Sequence, residues 1–165
     1  MDKKEFFEIM ASFPTGVAIV TTVDQHGAPV GLTTSAICSV SAEPPLLLVC
    51  VDRSSRTLPA LSASRRFLVH LVREGRDETC TRFASKQADK FRDIAWRPNP
   101  SGLPLLYDDA FAWLECGTMR EIAAGDHLVI IGLVKTGRIR DDDLFPTVYF
   151  RRSYRGWERH REAFV

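Results

Sequence analysis

The sequence predicts a mainly β protein, an antiparallel barrel of Greek-key-like connectivity with helices at its periphery. Three observations predict it. Stretches rich in β-branched and aromatic residues outnumber helical ones, Gly- and Pro-marked turns separate them at short intervals, and no regular strand-helix alternation announces a parallel sheet.

Asp2 and Glu5 stand at capping-box spacing, and Phe6, Phe7, Ile9, Met10 and Phe13 recur at helical intervals before Pro14 and Gly16 end the run. The first element is therefore an amphipathic helix. Residues 17–23 are β-branched, Asp24-Gln25-His26-Gly27 is a turn, and residues 30–33 return as a second strand. His26 reads as a solvated loop side chain. Residues 35–41 alternate small polar with apolar side chains, which predicts a third strand ending at Glu43-Pro44-Pro45. Residues 44–51 are an apolar run of strand length, bounded by Pro and by a charged turn, and predict a buried strand. Ser54 or Ser55 then caps a helix containing Leu58, Ala60, Leu61 and Ala63, with Pro59 in its first turn.

Residues 67–72 form another apolar strand, interrupted only by His70. An imidazole there is more often a hydrogen-bonded core group than a ligand. Residues 77–85 read as a helix with Phe83 on its apolar side, and residues 87–91 as a short turn. Residues 96–107 contain Pro98, Pro100, Gly102 and Pro104 and read as a long connection. Residues 110–120 and 127–134 are strands joined as a hairpin through Ala123-Ala124-Gly125-Asp126. Asp141-Asp142-Asp143 is a turn, and residues 147–150 make a short last strand.

One domain accounts for residues 1–165, with its core over residues 6–154 and a basic tail over residues 155–165. Lys and Arg number 22 against 21 Asp and Glu, a net charge of +1. Such balance offers no broad basic surface to nucleic acid or to an anionic membrane. No apolar run reaches bilayer length and no signal-peptide pattern opens the chain, so the expected location is cytoplasmic. Cys38, Cys50, Cys80 and Cys116 lack zinc-finger and Cys-x-x-Cys spacing. Cys38, Cys50 and Cys116 read as small buried hydrophobes without disulfides. The acidic triplet is not a calcium loop, so no metal is expected. Neither a dinucleotide or Walker glycine motif nor a nucleophile elbow is present.

Between residues 31 and 57 two polar clusters flank the apolar strand. Gly31-Leu32-Thr33-Thr34-Ser35-Ala36 lies before it and Asp52-Arg53-Ser54-Ser55-Arg56-Thr57 after it. Hydroxyls and arginines at strand ends suit a ligand with a flat polar ring and an anionic tail, because guanidinium pairs with phosphate and hydroxyls donate single hydrogen bonds. A helix beginning after the second cluster would add to this preference. On spacing alone, a helix cap and ordinary strand residues account for the same clusters. Lys86 and Lys90 likewise read as a solvated face.

The series extends along the chain. Phe13-Pro14-Thr15-Gly16-Val17, the two clusters, Ser39-Val40-Ser41 with Pro44-Pro45-Leu46, Arg82-Phe83-Ala84-Ser85-Lys86, Trp113-Leu114-Glu115-Cys116, Gly125-Asp126-His127, and Tyr149-Phe150-Arg151 with Tyr154 occur in order. This series resembles the short-chain flavin reductase family, the reductase components of two-component flavin monooxygenases. The resemblance implies an FMN-binding split β-barrel, and reduction of FMN or FAD by NADH or NADPH. It also implies a homodimer with flavin at the subunit boundary, and a flavin-dependent monooxygenase that consumes the reduced flavin. By position it implies flavin-binding roles for Thr33, Thr34, Ser35, Ala36, Cys50 and Val51. It places Asp52, Ser54, Ser55, Thr57, Ser85 and Lys86 around the ribityl chain and phosphate, with Phe91 in the cofactor site and Arg53 or Arg56 adding charge. His127 is implied to face the nicotinamide as the catalytic residue, with Tyr149 and Arg151 near the same pocket.

The pattern is broken at Ala36, where many relatives carry serine, at His70, where many carry Asn, and around Arg152-Ser153, where a Gly is replaced. The first bears on the choice between FMN and FAD, the last on the pyridine nucleotide. Three readings of other kinds remain open at this point: a flavin-binding electron-transfer protein, an oxidase like the pyridoxamine phosphate oxidases, and a cofactor-free interaction barrel.

Overall fold

The computed structural model describes residues 1–140 and 144–156. The acidic triplet and the tail from residue 157 onward lie outside the described residues. Helix α1 (Lys3–Ala11) leads into β1 (Thr15–Gly16), β2 (Ala18–Val23), β3 (Pro29–Thr34), β4 (Ile37–Ala42) and β5 (Pro45–Asp52). Helix α2 (Leu58–Ser64), β6 (Arg66–Val72) and α3 (Asp77–Ala84) follow. Then come the short β7 (Arg97–Pro98) and β8 (Pro104–Leu105), the long β9 (Ala110–Ala124) and β10 (His127–Ile139), and finally β11 (Thr147–Phe150) and β12 (Ser153–Gly156).

Seven strands make one antiparallel sheet in the order β3-β2-β6-β9-β10-β5-β4. Its two edge strands, β3 and β4, are consecutive in the chain and joined only by Ser35 and Ala36. A sheet whose opposite edges are linked so tightly has to curl upon itself. The closure is bonded: the Thr34 hydroxyl donates to the Cys50 carbonyl at 3.3 Å, and the Cys50 N–H donates to the Ala36 carbonyl at 2.9 Å. The expected partly closed barrel is therefore present.

Ala18, Val20, Leu32, Val49, Val51, Phe67, Val69 and Ile130 fill the barrel interior. Strand β2 is covered on both sides, because Val17 and Ile19 pack outward against Phe83, Phe91 and Leu106 beneath α3. His70 lies fully inside and bonds the Ile19 carbonyl through Nδ1 and the Leu106 N–H through Nε2, at 3.0 and 3.1 Å. It is the hydrogen-bonded core histidine that the sequence suggests.

Several local expectations are corrected. Strand β5 is not buried throughout. Leu47, Val49 and Val51 point inward while Leu46, Leu48 and Cys50 are only partly covered, since alternate side chains of a barrel strand face opposite sides. Helix α2 starts from Thr57, which makes no side-chain cap bond, rather than from Ser54 or Ser55. The connection after α3 is packed: Leu103 and Leu105 cover Leu68, and β7 pairs with β8. Cys38 is exposed on the edge strand, not buried. A further strand, β12, follows β11 and pairs with it.

Asp2 caps α1 by accepting the Glu5 N–H at 2.8 Å, yet no residue of this helix is buried. Its apolar face meets none of this chain's own core. Among the described residues no helix is long and apolar enough to cross a membrane.

Candidate functional site

Three chain segments enclose a cavity of about 460 Å³ at the barrel rim. The end of β3 contributes Thr33 and Thr34, the end of β5 and its following turn contribute Cys50 to Asp52 and Ser54 to Arg56 but not Arg53, and the exit from α3 contributes Ser85, Lys86 and Lys90. His127 completes the rim from the start of β10, where strand register sets it opposite Asp52. The Arg53 N–H donates to the Asp126 carbonyl at 3.0 Å and locks these two turns together. Gly125 permits the tight β9–β10 reversal, with φ of +59°, a conformation that glycine adopts without steric conflict.

Several of the hydroxyls donate their protons to backbone carbonyls. Thr33 donates to the Cys80 carbonyl at 2.7 Å, Thr57 to the Gly31 carbonyl at 2.8 Å, and Ser85 to the Arg82 carbonyl at 2.7 Å. With the Thr34 bond to Cys50, the Thr33 and Thr57 bonds staple the cavity walls to one another, while the Ser85 bond closes the last turn of α3, because a covered hydroxyl needs an acceptor and backbone carbonyls are nearest. Thr57 is only 3% exposed and does not line the cavity. Ser55 accepts the Thr57 N–H at 3.3 Å. Val51 presents part of the cavity wall although its side chain is buried in the barrel.

Charge is distributed unevenly. Asp52 accepts the Ser54 N–H at 2.7 Å, and that bond above all holds its carboxyl below the usual range, with His127 and Lys86 contributing. His127 Nδ1 lies 2.7 Å from Asp126 Oδ1, and this contact lowers the Asp126 pKa. A proton on Nδ1 satisfies the pair and leaves Nε2 as the free ring nitrogen. Arg56, Lys86 and Lys90 form no ion pair with any described carboxylate. Lys90 is half-buried and donates to the Phe83 and Gly31 carbonyls at 2.7 and 3.1 Å. Burial first, then the charge of Arg56, lowers its pKa.

Lys90 is the residue that sequence reasoning missed. Nothing local distinguishes it from a surface lysine, since one of its acceptors lies 59 positions earlier in the chain.

A second, mainly apolar cavity of about 650 Å³ lies behind the Ser35-Ala36 link and shares Cys50 with the first. Phe7, Met10 and Phe13 line it from the α1 side. Ser35, Ala36 and Tyr149 face this space rather than the polar cavity. The structure does not bring Tyr149 and Arg151 to the cavity that His127 borders. Strand β11, which holds Tyr149, pairs with β1 and β12 in a separate three-stranded sheet, and Arg151 lies in the turn between β11 and β12. Tyr149 packs on Tyr154 at 5.2 Å, while the Arg151 N–H donates to the Ala11 carbonyl at 2.8 Å. Phe91 does not line the polar cavity but borders the small neighbouring one that includes Gly31, Arg56 and Lys90, and its buried ring packs edge-on against Phe83 at 4.9 Å. Among the described residues, no three His, Cys, Asp or Glu side chains gather as a metal site.

Residues 10–158 match the flavin reductase like domain family. The chain is 45% identical over 158 residues to the flavin reductase (NADH) of Kitasatospora aureofaciens, a match that covers 95% of this chain and 83% of that protein. It superposes on the nitrilotriacetate monooxygenase component B homologue from Mycobacterium thermoresistibile with a TM-score of 0.92 at 33% identity, over 99% of this chain and 91% of that one. The Streptomyces globisporus NADH:FAD oxidoreductase, solved with NAD and FAD fragments, superposes with a TM-score of 0.90 at 28% identity, over 98% and 96% of the two chains.

Proposed function

The chain belongs to the flavin reductase like family, and on that premise we propose that it oxidises NADH, reduces FMN or FAD, and supplies the reduced flavin to a separate flavin-dependent monooxygenase. Its barrel is the split barrel of that family. The observation that carries the reading is the juxtaposition of a cation-rich cavity with an apolar one across Cys50. Cations without carboxylate partners suit a phosphate tail, and the neighbouring apolar wall suits a flat ring, so the donor set fits a flavin.

In this reading Lys86 and Ser55 hold the phosphate. The wall formed by Thr34, Ser35, Ala36 and Cys50 receives the isoalloxazine, with Thr33, Thr34 and Thr57 holding that wall in place through their bonds to backbone. A flavin held there would take up the hydride of the nicotinamide and supply the difficult chemistry itself. The work of the chain is to orient the two rings and keep water out. His127 presents Nε2 to the nicotinamide, and Asp126 holds the imidazole in that orientation through Nδ1. No acid-base pair beyond this is needed.

A homodimer belongs to the same reading. The uncovered face of α1 and the turn after it, with Phe7 at 49%, Met10 at 47% and Phe13 at 62% exposure, borders the apolar cavity and suits burial under a second copy of the chain.

The test is NADH and NADPH consumption by purified protein with and without added FMN or FAD. Activity that rises with free flavin, with NADH preferred, is expected. Oxidation of neither dinucleotide under any flavin condition ends this reading and returns the electron-transfer and cofactor-free alternatives.

A further inference from the structure

Away from the barrel rim, the connection between α3 and β9 borders a third cavity of about 320 Å³, lined by Ala95, Trp96, Arg97, Leu105, Tyr107 and Asp108. It shares no lining residue with the polar cavity or the apolar one. Pairing of β7 with β8 sets Arg97 opposite Leu105 and brings both to its wall.

We infer that this cavity binds a small planar aromatic carboxylate, with the ring against Trp96 and Tyr107 and the carboxylate on Arg97. The inference stands apart from the flavin reductase reading and does not depend on it.

Four observations carry it. First, the volume falls at the lower end of the range for small-molecule sites, about 300–1,000 Å³, which suits a single substituted ring and excludes a dinucleotide. Second, two aromatic side chains form the wall. Trp96 packs edge-on against Phe91 at 5.8 Å yet stays 41% exposed, so part of the indole is left without a neighbour, while Tyr107 is backed by Trp113 at 5.6 Å. Third, the Arg97 guanidinium lies 4.3 Å from the centre of the Tyr107 ring and has no ion pair or side-chain hydrogen bond among the described residues. Stacking holds a guanidinium by its face and leaves its edge donors free, and that planar fork matches the two oxygens of one carboxylate. Fourth, Asp108, the one carboxylate of the lining, is answered from outside it. The Arg73 Nε donates to the Asp108 carbonyl at 2.7 Å, and the Arg73 charge lies close enough to act on the Asp108 carboxylate. Arg97 is thus the cation left for a ligand, and a single planar cation beside ring faces favours a ring-borne carboxylate over a phosphate, which draws on several donors.

The experiment is calorimetric titration of the full chain with benzoate, with benzamide, which keeps the ring and lacks the charge, and with cyclohexanecarboxylate, which keeps the charge and lacks the flat ring. Each is repeated with Arg97→Gln and Trp96→Ala; both side chains are exposed, so their replacement leaves the core intact. Loss of one charge-assisted contact corresponds to about tenfold in affinity. The expected result is saturable benzoate binding, with benzamide and cyclohexanecarboxylate each about tenfold weaker. Arg97→Gln should weaken benzoate by about tenfold and leave benzamide within about twofold, while Trp96→Ala should weaken both. Absence of saturable benzoate binding up to about 10 mM overturns the inference, as does equal affinity for the three probes. Equal losses of benzoate and benzamide in Arg97→Gln remove the guanidinium from the site, and displacement of benzoate by FMN places the probe at the barrel rim; either result also overturns it.

Discussion

Gly31 and Phe83 approach so closely that no methyl group fits between them: a Cβ at position 31 would lie 2.8 Å from the Phe83 ring. The same glycine offers its carbonyl to both Thr57 and Lys90. One position on β3 thus sets the height of α3 and of the loop that brings Ser85, Lys86 and Lys90 to the cavity. Gly31→Ala should destabilise the fold by about 1–3 kcal/mol through overpacking. It should also weaken flavin binding, because α3 must shift. Urea denaturation and flavin titration check both effects, and an unchanged midpoint would show that the ring relaxes freely.

His70 makes stability depend on pH in a defined window. The Leu106 N–H can only donate, so Nε2 is the acceptor and Nδ1 carries the proton given to Ile19. Burial pushes the imidazole down to about 4 from an ordinary 6.5. The folded state therefore holds the neutral ring, and the unfolded state takes the extra proton. This contribution is complete above pH 6.5 and is lost as pH falls toward 4, by about 3 kcal/mol in all. The depressed carboxylates Asp24, Asp52 and Asp126 act in a separate range, below 3.8. Denaturation curves between pH 7.5 and 4.5 should show the slope in the wild-type chain and not in His70→Asn. A slope that survives the substitution assigns it elsewhere.

His127→Ala should raise the KM for nicotinamide dinucleotide by roughly tenfold, the effect of one lost hydrogen bond, while the flavin Kd stays put. Asp126→Asn keeps the size of the side chain but weakens its hold on Nδ1, so it should change the pH profile of that KM more than the turnover rate. Collapse of flavin binding with KM unchanged would reverse the assignment of the two ligands.

Lys86→Ala should weaken FMN and FAD but spare riboflavin, which has no phosphate. Equal losses for all three flavins would remove Lys86 from the phosphate site.

The uncovered helix face predicts association. Sedimentation should show a dimer, and Phe13→Asp should shift it toward monomer by placing a charge in an apolar contact. A wild-type chain that sediments as a monomer at micromolar concentration leaves the face without its second copy.

Local chemistry made much of this protein readable in one dimension. The Asp2 cap, the Asp24–Gly27 turn, the Gly125-Asp126 reversal and the alternation of β4 depend on neighbours within a few positions, so the sequence alone determined helix α1, most strands and the place of His127 at the start of one of them. It also determined the family, through an ordered set of motifs. What the tertiary structure decided is which atoms face a ligand. Thr33, Thr34 and Thr57 turn their hydroxyl protons to carbonyls of other segments, Tyr149 falls on the far side of the Ser35-Ala36 link with Arg151 bonded to Ala11, and Lys90 becomes a half-buried cation. Each of these depends on segments brought together only when the sheet closes, and a hydrogen bond goes to the nearest acceptor in space, whatever its distance along the chain.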